Sequence, residues 1–176
     1  MNKAIFLDRD GVICEDTNYI TSFDKLHIFK FSKDAIDLLH QKGYKVIVIS
    51  NQSAVARGMM KESDLVQIND FIKEQTGVDK IYYCPHLPPE DEKEDLPYRI
   101  HCCCRKPNVG MIEQAREEFS IDLKLSYMVG DRKTDILAGK RAGLITVYIN
   151  NGEDKKLEID SNMIFDNIYD FSKAIK

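Results

Sequence analysis

No apolar run in this 176-residue chain approaches the ~18 residues that a membrane-spanning helix needs. The N-terminus opens directly into a strand pattern, so neither a signal peptide nor a transmembrane span is expected. A basic block is also missing. Lys and Arg number 25 against 29 Asp and Glu, and the net charge of −4 argues against nucleic acid as a partner. Cysteines number five, an odd count, in a chain without a secretory signal. That speaks against a disulfide framework and for a reducing cytoplasm. There is no internal repeat and no low-complexity segment. What remains is a cytoplasmic globular chain, expected to be a monomer with no membrane partner. Its hydrophobic fraction of 43% is enough for a sizeable core, and its length predicts one domain over 1–176.

Strand and helix patterns alternate almost throughout, which predicts an α/β fold with a doubly wound parallel sheet. Strands are expected at Ala4–Leu7, Lys45–Ile49, Lys80–Tyr83, Tyr127–Val129 and Ile145–Ile149, with Met163–Phe165 as an edge strand. Helices are expected at Lys33–Gln41, Glu62–Gln75, Gly110–Phe119, Thr134–Ala142 and Tyr169–Ile175. Ser32 and Asn108 suit the N-caps of the first and third helices, and Gly43 and Gly77 suit C-caps. Ile36, Leu38 and Leu39, and then Leu65, Ile68, Phe71 and Ile72, fall at core-facing spacing. Cys84–Pro107 is a long polar loop, rich in Pro and acid around Pro88–Pro97. A loop of that length is usually functional or held by something.

The first strand runs into Asp8-Arg9-Asp10-Gly11. In extended chain, residues i and i+2 point to the same side. Asp8 and Asp10 would face the crevice at the C-terminal strand ends, where open α/β sheets bind ligands. Two acids so close repel unless a cation intervenes. Taken alone, the pair fits a polar strand end before a glycine turn better than a catalytic site. Three further chain segments carry residues suited to phosphate or Mg²⁺. Val46–Ile49 ends in Ser50-Asn51-Gln52-Ser53, where a strand-end hydroxyl can donate to phosphate. Arg105-Lys106-Pro107 precedes a helix, offering a point charge and a fork. Tyr127–Val129 leads into Gly130-Asp131, with Asp135 at i+4, able to orient Lys106 or to cap its own helix.

The polar loop carries a second pattern. Cys84-Pro85-His86 precedes His101-Cys102-Cys103-Cys104. Two close groups of soft ligands separated by a loop fit tetrahedral Zn²⁺ rather than Mg²⁺. The second group offers four adjacent candidates. Cys102 and Cys104 project to one side in extended chain and Cys103 to the other, which selects Cys84, His86, Cys102 and Cys104. Three thiolates and an imidazole leave no open position, so this zinc is expected to be structural. Cys14 and Cys103 remain as free thiols.

The four strand-end motifs, in this order, resemble the haloacid dehalogenase superfamily of phosphatases. That resemblance implies a Rossmann-like core with Asp8 as the nucleophile, forming a phosphoaspartate, and Asp10 as general acid and base. It implies Ser50 and Lys106 on the transferring phosphate, and Mg²⁺ held by Asp8, the Asp10 backbone carbonyl and Asp131. The zinc loop Cys-x-His…Cys-x-Cys-Arg-Lys-Pro and the run Asn51–Gly58 are similar to the heptose bisphosphate phosphatase branch. Ala54 stands where that branch usually has Gly. The branch implies a phosphorylated sugar as substrate, the 7-phosphate of D-glycero-D-manno-heptose 1,7-bisphosphate being removed. It also implies substrate contacts from Asp16, Thr17, Asn18, Tyr19, Asn51, Gln52, Ser53 and Arg105.

Arg57 and Arg105 are the rim cations, suited to a second anionic group on the substrate. Many superfamily members insert a cap domain. Here only about twenty residues separate Gly11 from Ser32, too few for an independent core, so a capless, open site is expected. Two readings compete. A histidinol-phosphate phosphatase would share the chemistry. A phosphoacceptor receiver domain would share the sheet and the Asp but would be a switch, with no use for Asp10 as a proton donor.

Overall fold

The computed structural model describes residues 1–89, 97–152 and 159–176. Six strands form one sheet: β1 (Lys3–Leu7), β2 (Tyr44–Asn51), β3 (Lys80–Cys84), β4 (Tyr127–Gly130), β5 (Ile145–Ile149) and β6 (Met163–Phe165). All pair parallel, in the order β3-β2-β1-β4-β5-β6. The helices are α1 (Ser32–Gln41), α2 (Glu62–Thr76), α3 (Gly110–Phe119), α4 (Lys133–Ala142) and α5 (Ile168–Ala174). No described helix is long and apolar enough to cross a membrane.

The strands read as unbroken apolar runs because both sheet faces are covered. Ala4, Ile5, Phe6 and Leu7 are all fully buried, yet neighbours belong to different cores. Ile5 and Leu7 pack with Ile36 and Leu39 of α1, Ile68 and Ile72 of α2, and Phe171 of α5. Ala4 and Phe6 pack with Met111 and Ile112 of α3 and Ala138 of α4. Alternation along the strand sends its side chains to opposite layers. The sheet order reverses beside β1, so the crevice opens above β1 and its neighbours.

Several local expectations shift. Ser32 is the first residue of α1 rather than its cap, and its hydroxyl donates to the Ile13 carbonyl at 2.7 Å. Val109 takes the N-cap position of α3, while Asn108 donates to the Cys102 carbonyl at 2.8 Å. Lys42 is the C-cap residue of α1, followed by Gly43 at φ 81; Gly77 does cap α2, at φ 80. Leu38 is only half-buried, and Phe71 is exposed, edge-on to Phe23 at 5.5 Å. β2 extends past its apolar run because Ser50 and Asn51 still pair with Tyr83 and Cys84 of β3.

Candidate active site

β1 lies between β2 and β4, so Asp8, Ser50 and Asp131 reach one rim although they are far apart in sequence. The Asp8 N–H donates to the Val129 carbonyl at 2.9 Å, continuing the β1–β4 ladder to the carboxylate itself. A cavity of about 620 Å³ opens there, lined by Asp8, Asp10 and Lys106 together with Asp16, Asn18, Tyr19, Asn51, Gln52, Ser53, Arg57 and Arg105. Thr17 is not among the lining residues; its hydroxyl donates to the Lys25 carbonyl at 3.3 Å within its own loop. Ser50 lies under the floor, almost fully buried, and accepts from Gln52 Nε2 at 2.7 Å. Arg132, Lys133 and Thr134, at the start of α4, complete the wall.

Lys106 is the cation that meets Asp8 in this floor. Its side chain is 1% exposed, with Nζ 2.9 Å from Asp8 Oδ1 and 2.7 Å from Asp135 Oδ1. Nζ also donates to the Ile49 carbonyl at 2.7 Å. Burial alone would drive the proton off, but Asp135 and then Asp8 outweigh it and raise the Lys106 pKa. Asn51 fixes the lysine's backbone from β2: its Oδ1 accepts from the Lys106 N–H at 2.9 Å and its Nδ2 donates to the Lys106 carbonyl at 3.0 Å. Asn51, expected as a substrate contact, lines the cavity and holds the lysine. The Lys106–Pro107 peptide is cis.

Asp8, Asp131 and Asp135 bring carboxylate oxygens within 4.8 Å of one another. Two glycines make room for them. A Cβ on Gly11, at φ +80, would lie 2.1 Å from Asp131 Oδ2, and one on Gly130 would lie 2.3 Å from the Asp135 Cβ. Burial, then the charges of Asp8 and Asp135, push Asp131 up to about 7. Asp131 Oδ1 is buried with no hydrogen-bond partner among the described residues. Asp135 does both things foreseen for it, pairing with Lys106 and accepting from the Arg132 N–H at 3.0 Å. Burial and Asp8 push its carboxyl up while Lys106 pulls it down. The 2.7 Å ammonium contact argues that it is held as the carboxylate. With all three ionised, the carboxylates against one ammonium leave two negative charges in a buried space, the charge one Mg²⁺ would balance. The donor set therefore fits a hard divalent cation. The Asp10 side chain is not in this trio; Gln52 Nε2 donates to its Oδ2 at 2.7 Å.

The zinc-type ligands also converge. Cys84 Sγ lies 3.6 Å from Cys102 Sγ and 3.6 Å from His86 Nδ1, and His86 Nδ1 lies 3.4 Å from Cys104 Sγ. Cys84 and Cys104 are closer, at 3.1 Å. A tetrahedron with metal–sulfur bonds of ~2.3 Å has edges of roughly 3.5–3.8 Å, which the two 3.6 Å separations match, while the Cys84–Cys104 pair is tighter. Cys103 is exposed and outside the group. Arg105 Nη1 donates to the His86 carbonyl at 3.1 Å, tying the two arms of the loop at the base of the cavity. The acidic centre of this loop, 90–96, lies outside the described residues.

Comparison with known proteins decides the lineage. The chain is 36% identical to a D-glycero-alpha-D-manno-heptose-1,7-bisphosphate 7-phosphatase of Photorhabdus laumondii, over 99% of this chain and 97% of that protein. It is 38% identical to a D-glycero-beta-D-manno-heptose-1,7-bisphosphate 7-phosphatase of Pasteurella multocida, over 100% and 98%. The chain belongs to the heptose bisphosphate phosphatase family of haloacid dehalogenase-like hydrolases. Residues 103–171 match the family described as HAD-hydrolase-like. A D,D-heptose 1,7-bisphosphate phosphatase from B. bronchiseptica, solved with magnesium and phosphate, superposes with a TM-score of 0.82 at 28% identity, covering 97% of this chain and 96% of that one.

Within this family frame, the residue that reading the sequence passed over is Arg9. It lies between the two motif aspartates and is fully buried. A charged residue next to an apolar strand gives no local sign of burial, because two of its partners are distant: Gln52, just after β2, and Asn69 of α2.

Proposed function

We propose that the chain is a magnesium-dependent phosphatase that removes the 7-phosphate of D-glycero-D-manno-heptose 1,7-bisphosphate and leaves the 1-phosphate in place. The observation that carries this reading is the buried carboxylate trio closed by Lys106, opening onto a cavity lined by Arg57 and Arg105.

Asp8 Oδ attacks the phosphorus, and the bond from phosphorus to the sugar oxygen breaks. Asp10 gives its proton to that leaving oxygen, so no free alkoxide forms. Asp10 then takes a proton from the water that attacks the phosphoaspartate, releasing phosphate and restoring Asp8. Lys106 and Ser50 bind the phosphoryl oxygens. Ser50 accepts from Gln52, which leaves its own proton to donate. Asp8, Asp131 and the Asp10 backbone carbonyl would hold Mg²⁺, which would supply the positive charge needed to neutralise phosphoryl charge facing an attacking carboxylate. Zn²⁺, held by Cys84, His86, Cys102 and Cys104, is structural and sets the loop that ends in Arg105 and Lys106. The enzyme works as a cytoplasmic monomer; its five cysteines are all unpaired.

Arg57 and Arg105 would draw a distal phosphate and repel the ammonium of histidinol phosphate. The test is phosphate release from the sugar bisphosphate, the corresponding monophosphate and histidinol phosphate. The bisphosphate is expected to lead by at least about tenfold in kcat/KM. Arg105→Ala should narrow the lead over the monophosphate more than it lowers the basal rate. A higher kcat/KM for histidinol phosphate would overturn the substrate. Release of a single equivalent, without turnover, would instead mark a receiver-like switch.

A further inference from the structure

We infer that Arg9 and, behind it, Asn69 of α2 are positioning residues that fix the direction of the Asp10 carboxylate. The inference rests on Asp10 being the proton donor and acceptor of the proposed reaction.

The Arg9 side chain is 0% exposed, whereas that of Asp10 is 19% exposed and borders the cavity. A carboxylate at such a border can rotate about two bonds unless something holds it. Arg9 holds both oxygens. Its Nε donates to Asp10 Oδ1 at 3.1 Å and its Nη2 to Asp10 Oδ2 at 3.0 Å, a two-pronged fork that fixes a plane as well as a position. Cys14 Sγ adds a weak contact to Oδ1 at 3.5 Å.

Arg9 itself is set by two amides. Its Nη2 donates to Gln52 Oε1 at 2.9 Å, and its Nη1 donates to Asn69 Oδ1 at 3.0 Å. A guanidinium can only donate, so each amide must turn its oxygen toward it. For Gln52 that leaves Nε2 facing Asp10 Oδ2 and Ser50 Oγ, both at 2.7 Å. One buried cation thus orients the proton-transfer group directly and the phosphate-binding hydroxyl through Gln52.

Asn69 has no part in the cavity wall. It sits 4% exposed on the face of α2 that carries Leu65, Ile68 and Ile72, where an apolar residue would pack better. Its Oδ1 accepts from Arg9, and its Nδ2 has no hydrogen-bond partner among the described residues. A buried charged network is weak evidence of stability, because well-packed apolar residues often do as well. Holding one conformation is the use that remains. In a site without a cap to close over Asp10, the fork does from below what a lid would do from above.

The test separates positioning from packing by the leaving group. An alkyl oxygen needs the Asp10 proton to depart, whereas dinitrophenolate leaves without one. Formation of the phosphoenzyme is followed by rapid quench with the sugar bisphosphate and with 2,4-dinitrophenyl phosphate. In Asn69→Leu the rate from the sugar ester should fall about tenfold or more, against less than about twofold from the dinitrophenyl ester. Breakdown should also slow, so the dinitrophenyl ester should give a dinitrophenolate burst near one equivalent. Asn69→Asp keeps the acceptor and should restore the sugar-ester rate. If Asn69→Leu does not fold, Arg9→Lys, which keeps the charge and loses the fork, is read in the same way. A folded variant that loses both esters alike, or neither, overturns the inference and leaves the phosphatase reading standing. Wild-type protein that hydrolyses neither ester overturns both.

Discussion

Replacing Lys106 by Met keeps the length of the side chain and removes its charge. In the wild-type protein that ammonium sits within 3 Å of two carboxylates and a carbonyl, with almost no contact with water. Its loss leaves Asp8, Asp131 and Asp135 clustered without that cation. Removing one partner of a buried ion pair costs about 3–5 kcal/mol. A domain's whole stability is about 5–15 kcal/mol. For a chain of this size the change lowers the melting temperature by roughly 10 °C in magnesium-free buffer. Added Mg²⁺ should recover part of the loss, because it binds the folded trio and not the unfolded chain. The double variant Lys106→Met/Asp135→Asn removes a charge of each sign and should recover much of the stability without Mg²⁺, while phosphate release stays abolished. Thermal melts with and without Mg²⁺, run beside a phosphate-release assay, read all of this. A Lys106→Met protein that melts within about 1 °C of wild type without Mg²⁺ would refute the placing of Lys106 as the buried counter-ion.

Asp8→Asn should abolish turnover while leaving the fold intact, since an amide is a poor nucleophile; activity above about 1% of wild type would sink the phosphoaspartate route. Cys104→Ser should lose zinc by elemental analysis and Cys103→Ser should retain about one equivalent; the reverse result would show a different ligand set. Asp131 supplies a pH test. Its carboxyl is raised to about 7 in the folded protein from an ordinary value of 3.8, so the folded state binds the proton more tightly. That contribution to stability is complete below the unfolded value and is lost as pH rises through the folded one. Magnesium-free protein should therefore melt progressively lower from about pH 4 to pH 7, and Mg²⁺ should flatten the slope; a flat magnesium-free profile would contradict it.

The parts of this protein that depend on near neighbours could be read from the chain itself. Apolar runs such as Phe6–Leu7 and Val46–Ile49 declare strands covered on both faces, and the residues just past them must fall on the C-terminal rim. That places Asp8, Ser50 and Asp131 without any coordinates. The choice of Cys102 and Cys104 over Cys103 follows from the two-residue period of extended chain, and the structure groups those cysteines with Cys84 and His86.

What folding alone decided depends on partners distant in sequence. The strand order puts β1 between β2 and β4, which turns three separate strand ends into one floor. Lys106 is a surface-like residue in sequence, and it is buried because Asp8 and Asp135 reach it from two other elements. Asn51 serves the Lys106 backbone, and Arg9 is buried against Gln52 and Asn69, which lie far from it in sequence. Thr17 leaves the cavity because its loop offers a nearer acceptor in the Lys25 carbonyl. A residue's type and its neighbours fix its local conformation. Which charges become buried, and against what, is set only when the elements pack, because the cost of desolvating a charge is met by partners that the local sequence does not contain.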